Sequence, residues 1–181
     1  MRGPGSTVRV NVEPSPSQGT LVAAHYGRLR RLSRVLLGDP QEAEDVVQEV
    51  FLKAHEAGRL GRAPVDRGAW LTRVTINACR DRRRAGGWMR FRFRSSQIDD
   101  VPLIAETPAP SDAAIGEDTR RRIWVAFRAL PRRQQEVFAL RYIDERSTAA
   151  VAATLGLSAG SVKRHLYRAV RHLRRALEDA R

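Results

Sequence analysis

Apolar residues recur along most of this chain at steps of three and four, the spacing that gathers them on one face of an α-helix. Leu21, His25, Leu29, Leu32 and Leu36 mark such a face and predict a first helix, which Gly38 closes. Asp39-Pro40-Gln41-Glu42 is a start signal: a capping acid, a proline at the first helical position and a glutamate placed for a capping box. The helix that follows is expected to bury Ala43, Val47, Val50, Phe51 and Ala54 and to stop near Gly58. A loop with Gly61 and Pro64 then leads to Asp66. This acid suits the cap of a third helix that runs to Gly86-Gly87 and buries Trp70, Leu71, Val74 and Ala78.

Between Ser95 and Asp118 the pattern lapses into acids and prolines without a lysine or arginine, which reads as a flexible acidic linker. Helical spacing returns at Thr119. Ile123, Phe127 and Leu130 form one stripe, Pro131 opens a helix carrying Val137, Phe138 and Leu140, and two further helices meet at Leu155-Gly156-Leu157-Ser158. No alternating strand pattern and no repeat is visible. The prediction is an all-α chain of two small helical domains, at 20–94 and 119–181, joined by the linker 95–118 and preceded by a tail at 1–19.

Charge sharpens this picture. Against 20 acids stand 33 lysines and arginines, a formal excess of +13, and nearly all of it is arginine, whose planar fork suits phosphates and base edges. Such an excess points to a polyanionic partner. No apolar run nears the roughly 18 residues that span a bilayer. The Pro/Gly/Ser-rich start lacks the apolar stretch of a secretion signal, so the chain is expected to work in the cytoplasm without membrane insertion. The single cysteine, Cys79, forms no internal disulfide and is expected to be a packing residue. The four histidines are scattered, no glycine-rich phosphate loop is present, and no nucleophile–base constellation appears. No catalytic residue, metal or cofactor is predicted.

Thr148 to Leu166 carries the sharpest signal. A helix of small residues precedes Gly156, which permits a left-handed turn, and Ser158 caps the next helix. On that helix Val162, Leu166, Ala169, Val170, Leu173 and Leu177 share an arc of roughly 100°, while Gly160, Arg164, Tyr167, Arg168 and Arg171 lie opposite. One face can dock while the other enters the major groove of DNA, where arginine reaches guanine edges. The competing reading is a solvated basic surface.

Two faces of the first domain also stand out. On its second helix Asp45, Gln48, Glu49 and Leu52 share an exposed side, which suits a basic protein surface or else only solvent. A metal site of Glu42, Asp45 and Glu49 would lack a histidine in register and an acidic partner helix. On its third helix Arg73, Asn77, Arg80 and Arg84 lie within roughly 60° of one another. An asparagine in such a stripe can read a base edge while the arginines hold phosphates. Downstream, Trp88 to Arg94 interleaves aromatics with arginine. This composition serves either to track single-stranded nucleic acid or to pack on the domain with snorkelling arginines.

Together these segments resemble the extracytoplasmic-function group of bacterial sigma factors, across nearly all of the chain after the tail. AEDVVQEVFLKA (Ala43 to Ala54) resembles the family's core-polymerase-binding helix. AWLTRVTINACRDRRR (Ala69 to Arg84) resembles its promoter-melting helix, and LPRRQQEVFALRY (Leu130 to Tyr142) with the helix-turn-helix resembles its second domain. The resemblance implies a sigma factor that binds core RNA polymerase and directs promoter-specific initiation. Asp45, Gln48, Glu49 and Leu52 would grip the clamp helices of the largest subunit. Arg73, Asn77, Arg80, Arg83 and Arg84, with Leu60 and Gly61 in the preceding loop, would capture the −10 element of promoter DNA. Ser161, Lys163, Arg164, Tyr167, Arg168 and Arg171 would read the −35 element. The region around Leu130 to Tyr142 would meet the flap of the second large subunit, and an anti-sigma factor is a further implied partner.

Two positions depart from the family pattern. Ala150 stands where members usually carry an acid, and Leu60-Gly61-Arg62 occupies a loop that usually offers an aromatic side chain to a base. Two other readings exist: a stand-alone helix-turn-helix regulator, which has no need of the acidic patch, and a nucleic-acid enzyme using the Glu42–Glu49 carboxylates, which lacks a second ligand set.

Overall fold

A computed structural model describes residues 18–62, 64–90 and 116–178, and every regular element among them is helical. The tail, most of the linker and the Phe91–Arg94 part of the aromatic–arginine segment lie outside the described residues, as do the side chains of 86–90. The elements are α1 (Gln18–Leu37), α2 (Pro40–Arg59), α3 (Arg67–Arg90), α4 (Glu117–Ala129), α5 (Arg132–Phe138), α6 (Thr148–Leu155) and α7 (Ala159–Glu178). Ala139–Ile143 extends α5 as a widened turn with π-type geometry.

Local chemistry sets most of the boundaries. Asp39 accepts from the Glu42 amide at 2.9 Å and Asp66 from the Ala69 amide at 2.8 Å, so both acids cap as the sequence predicts. Ser158 accepts from the Ser161 amide at 3.1 Å and starts α7, and Ser147 caps α6 in the same manner. Gly156, at φ 65° and ψ 41°, closes α6; the Leu157 amide reaches back to the Ala152 carbonyl at 2.9 Å. Three boundaries differ from the prediction, the first being α1, which begins at Gln18 inside the span assigned to the tail. The α3 backbone stays helical through Gly86-Gly87 to Arg90, because two glycines weaken a helix by roughly 1 kcal/mol each without breaking it. Helix α4 starts at Glu117, inside the span assigned to the linker, where Asp118 pairs with Arg121 and Arg122 at 3.0 and 2.7 Å.

Helices α1, α2 and α3 pack as one group around Leu29, Leu32, Leu36, Val46, Val47, Val50, Leu71 and Ile76, all essentially without solvent exposure. Helices α4 to α7 form a second group, in which α7 lies across α4 and α5 through Val162, Ala169 and Leu173. Trp124 stacks on Phe127 at 5.7 Å and Phe127 meets Phe138 at the same distance. The two groups touch: α1 meets the widened turn and α3 meets α6.

This contact moves the buried arc of α3. Trp70 and Val74 are only half-buried, whereas Thr72, Thr75, Ile76 and Cys79 are buried beside Leu71 and Ala78. Threonine tolerates the interior because its hydroxyl bonds the preceding turn: Thr75 to the Leu71 carbonyl at 2.8 Å and Thr72 to that of Gly68 at 2.9 Å.

Candidate nucleic-acid and partner-binding surfaces

The cap at Ser158 and the left-handed Gly156 fix how α7 leaves α6, and the apolar arc then fixes its rotation. Val162, Ala169 and Leu173 are buried, with Leu166, Val170 and Leu177 half-buried beside them. Lys163, Arg164, Tyr167, Arg168 and Arg171 are consequently exposed, and Tyr167 keeps 66% of its surface in solvent. None of the four cations makes a hydrogen bond or ion pair among the described residues. Ser161 differs from them: it is half-buried and its hydroxyl meets that of Ser158 at 3.0 Å, inside the cap. The structure thus brings the predicted α7 residues onto one open face and places Ser161 at its N-terminal edge. His165, between Arg164 and the docked arc, has its pKa lowered by burial and by the neighbouring Arg168 charge.

The α3 stripe is less uniform. Arg73 and Asn77 are exposed, Arg84 pairs with Asp81 of its own helix at 3.3 Å, and Arg80 is three-quarters covered. Arg80 donates to both carboxylate oxygens of Glu136, Nε to Oε1 at 2.7 Å and Nη2 to Oε2 at 2.8 Å, and also to the Asn77 amide oxygen at 3.2 Å. The Glu136 carboxylate holds Arg80 firmly protonated. Arg83 donates to Gln135 at 2.5 Å. The predicted stripe is therefore real, but part of it is engaged by the second helical group. Glu136 and Gln135, which the sequence placed only within the Leu130 to Tyr142 region expected to meet the flap, are the residues that engage it.

In the loop between α2 and α3, Leu60 is half-exposed and Val65 fully so. Gly61 takes φ 66°, and the Arg62 amide bonds the Ala57 carbonyl at 2.8 Å; this left-handed closure holds Leu60 outward. Beside the loop lies a groove of about 310 Å³ lined by Leu21, Phe51, Ala54, Arg59 and Arg67.

The third surface lies on α2. Gln48 is exposed, Leu52 keeps 69% of its surface in solvent, and Asp45 and Glu49 are partly exposed beside them. Asp45 is 3.4 Å from Arg82 and Glu49 is 2.6 Å from Lys53. Glu42, Asp45 and Glu49 do not converge, and among the described residues no three metal-ligating side chains do. Cys79 is buried against α1, and burial pushes its thiol up to about 12. No helix among the described residues is long and apolar enough to cross a membrane.

Comparison with known proteins follows the same division. The family described as "Sigma-70 region 2" matches residues 21–89, and that described as "Sigma-70, region 4" matches residues 120–173. The "ECF RNA polymerase sigma factor SigE" of Mycolicibacterium smegmatis is 31% identical over 163 residues, which cover 88% of this chain and 61% of that protein. The "RNA polymerase sigma-E factor" of Streptomyces coelicolor is 32% identical over 159 residues, 86% of this chain and 83% of that one. The chain thus spans less than two thirds of the first relative and most of the second. Among solved structures, the sigma factor RpoE in complex with the anti-sigma factor NepR, from Bartonella quintana, shares the fold at a TM-score of 0.66 and 23% identity. The match covers 90% of this chain and 98% of that one.

Proposed function

Because the chain belongs to the extracytoplasmic-function group of the sigma-70 family, we propose that its two helical groups divide promoter recognition between them. In this reading the chain binds core RNA polymerase in the cytoplasm and performs no chemistry itself. Helix α7 enters the major groove of the −35 element, with Arg164 and Arg168 toward base edges and Lys163, Tyr167 and Arg171 flanking them; Ser161 holds its start. Asn77 receives an extruded base of the −10 element, with Arg73, Arg80, Arg83 and Arg84 along its phosphates and Leu60 and Gly61 at the loop beside it. Opening a duplex loses stacking, which capture of the extruded base and its phosphates offsets.

Asp45, Gln48, Glu49 and Leu52 form the contact to the clamp helices of the largest polymerase subunit. An apolar side chain exposed within acids and an amide has the make-up of a protein-binding patch and would serve no purpose on DNA. Leu130 to Tyr142 faces the flap of the second subunit, and an anti-sigma factor is a further partner, as the solved structure of RpoE is a complex with the anti-sigma factor NepR.

The observation that carries this reading is the open cationic face of α7, set by a capped turn and an apolar arc, on a chain that presents a second arginine–asparagine stripe on α3. Asn77→Ala tests it. The variant should bind core polymerase normally yet form at least about ten-fold less open complex on a promoter, seen as lost permanganate reactivity of unpaired thymines. Undiminished reactivity would remove Asn77 from strand capture.

A further inference from the structure

The groove beside the α2–α3 loop belongs neither to the α3 stripe, nor to the α7 face, nor to the α2 patch. Its floor is apolar, made by Leu21 of α1 with Phe51 and Ala54 of α2. A smaller recess continues it along Ala57, Pro64 and Trp70 toward α3. Its rim is cationic: His55 and Arg59 stand exposed on α2, and Arg67 is half-buried at the first position of α3. Neither arginine makes a hydrogen bond or ion pair among the described residues. At about 310 Å³ the groove has room for a small apolar ligand or a few side chains.

The chain carries a segment of matching chemistry just ahead of the described residues. In Val8-Arg9-Val10-Asn11-Val12-Glu13 three valines alternate with polar residues, so an extended backbone turns all three to one side. Glu13 is the one acid before Gln18, and Pro14 follows it; a proline biases the residue before it toward extended backbone. The reach is sufficient. Val12 lies six positions before the start of α1, which allows about 20 Å of extended chain, whereas α2 covers about 12 Å from Phe51 to Arg59. Leu21, in the first turn of α1, is itself part of the floor. Tethering decides the occupant. A segment on so short a link meets the groove at an effective concentration in the millimolar range, so contacts too weak to hold a free ligand suffice.

We propose that Val8 to Glu13 docks in this groove, with its valines on Leu21, Phe51 and Ala54 and Glu13 toward Arg59 and Arg67. Docked there, the segment bridges the end of α2 and the start of α3, the two anchors of the loop that carries Leu60 and Gly61. It is a positioning element for that loop: with both anchors braced, the left-handed closure at Gly61 holds Leu60 outward on a fixed base. This second step rests on the reading of the loop as part of the −10 surface, and the docking itself does not.

The test uses the full chain. Val10→Cys paired with His55→Cys on the rim should form a disulfide within one molecule on mild oxidation. Val10→Cys paired with Ala129→Cys, exposed on α4 near the opposite end of α1, should form far less. Val8→Ser, Val10→Ser and Val12→Ser together should leave the helices intact by circular dichroism yet speed hydrogen exchange of the amides from His55 to Arg62 about ten-fold. That variant should bind core polymerase normally and form several-fold less open complex. Equal disulfide yields at the two positions, or native exchange in the serine variant, would overturn the docking. Disulfides that join two molecules would overturn docking within one chain. A disulfide and faster exchange beside native open-complex formation would keep the docking and strike the loop's part in reading the −10 element.

Discussion

Helices α3 and α7 are both arginine-rich, and both dock through an apolar arc, yet their polar faces meet different surroundings. The face of α7 looks into solvent, with Lys163, Arg164, Arg168 and Arg171 unpaired among the described residues, whereas Arg80 and Arg83 of α3 are held by Glu136 and Gln135. The difference teaches that a basic stripe is not in itself an available one.

The comparison can be broken at its base by loosening α3. Leu71 is fully buried where α3 meets α1 and α2, so Leu71→Ala should cost about 2–5 kcal/mol of unfolding free energy in urea titration. Leu173→Ala, near the end of α7 and slightly exposed, should fall at or below the lower end of that range. Equal costs would mean that α7 is as deeply seated as α3.

The open face of α7 is sharpened by Arg164→Ala. Because Arg164 is unpaired among the described residues, stability should hold while −35 duplex binding weakens by about 1–3 kcal/mol. A proportional fall on templates with a mutated −35 element would reduce Arg164 to a phosphate contact.

How far all this was legible in the sequence depends on how local the cause is. Asp39, Asp66 and Ser158 cap as expected because a cap is settled within three residues, and Gly156 turns as expected because only its own backbone matters. The α7 face was legible because a 3.6-residue period leaves its trace in the apolar arc. What stayed hidden joins distant residues: Arg80 to Glu136 across 56 positions and Arg28 to Asp144 across 116. Ion pairing carries no period, and Gln135 and Glu136 look like the solvent side of a short amphipathic helix. Thr72 and Thr75 were passed over because a hydroxyl reads as polar until its back-bond to the preceding turn is seen.

A smaller effect is expected from Ser158→Ala, about 1 kcal/mol by removal of the α7 cap, with weaker −35 binding as α7 frays. Reduced stability with unchanged duplex affinity would show that the recognition face tolerates a frayed start.

The smallest effect is on pH dependence. Burial lowers the pKa of both His25 and His165 below the ordinary 6.5, helped by Arg28 at His25 and Arg168 at His165. The folded chain then binds fewer protons than the unfolded one, so stability is fully present above the unfolded value, declines as pH falls through it, and levels below the lowered folded values. Melting temperature should drop modestly from about pH 8 to pH 5, and His25→Gln should remove part of the slope. A melting temperature that rises on acidification would contradict the burial assigned to these rings.

The most direct test of the division of labour is run-off transcription by purified core RNA polymerase across a genomic promoter library. The native chain should produce transcripts from a restricted set of promoters sharing one −35 and one −10 element, with Arg164→Ala losing discrimination at the first element and Asn77→Ala losing opening at the second. If the native chain neither bound core polymerase nor yielded any promoter-dependent transcript, the account would be contradicted at its centre.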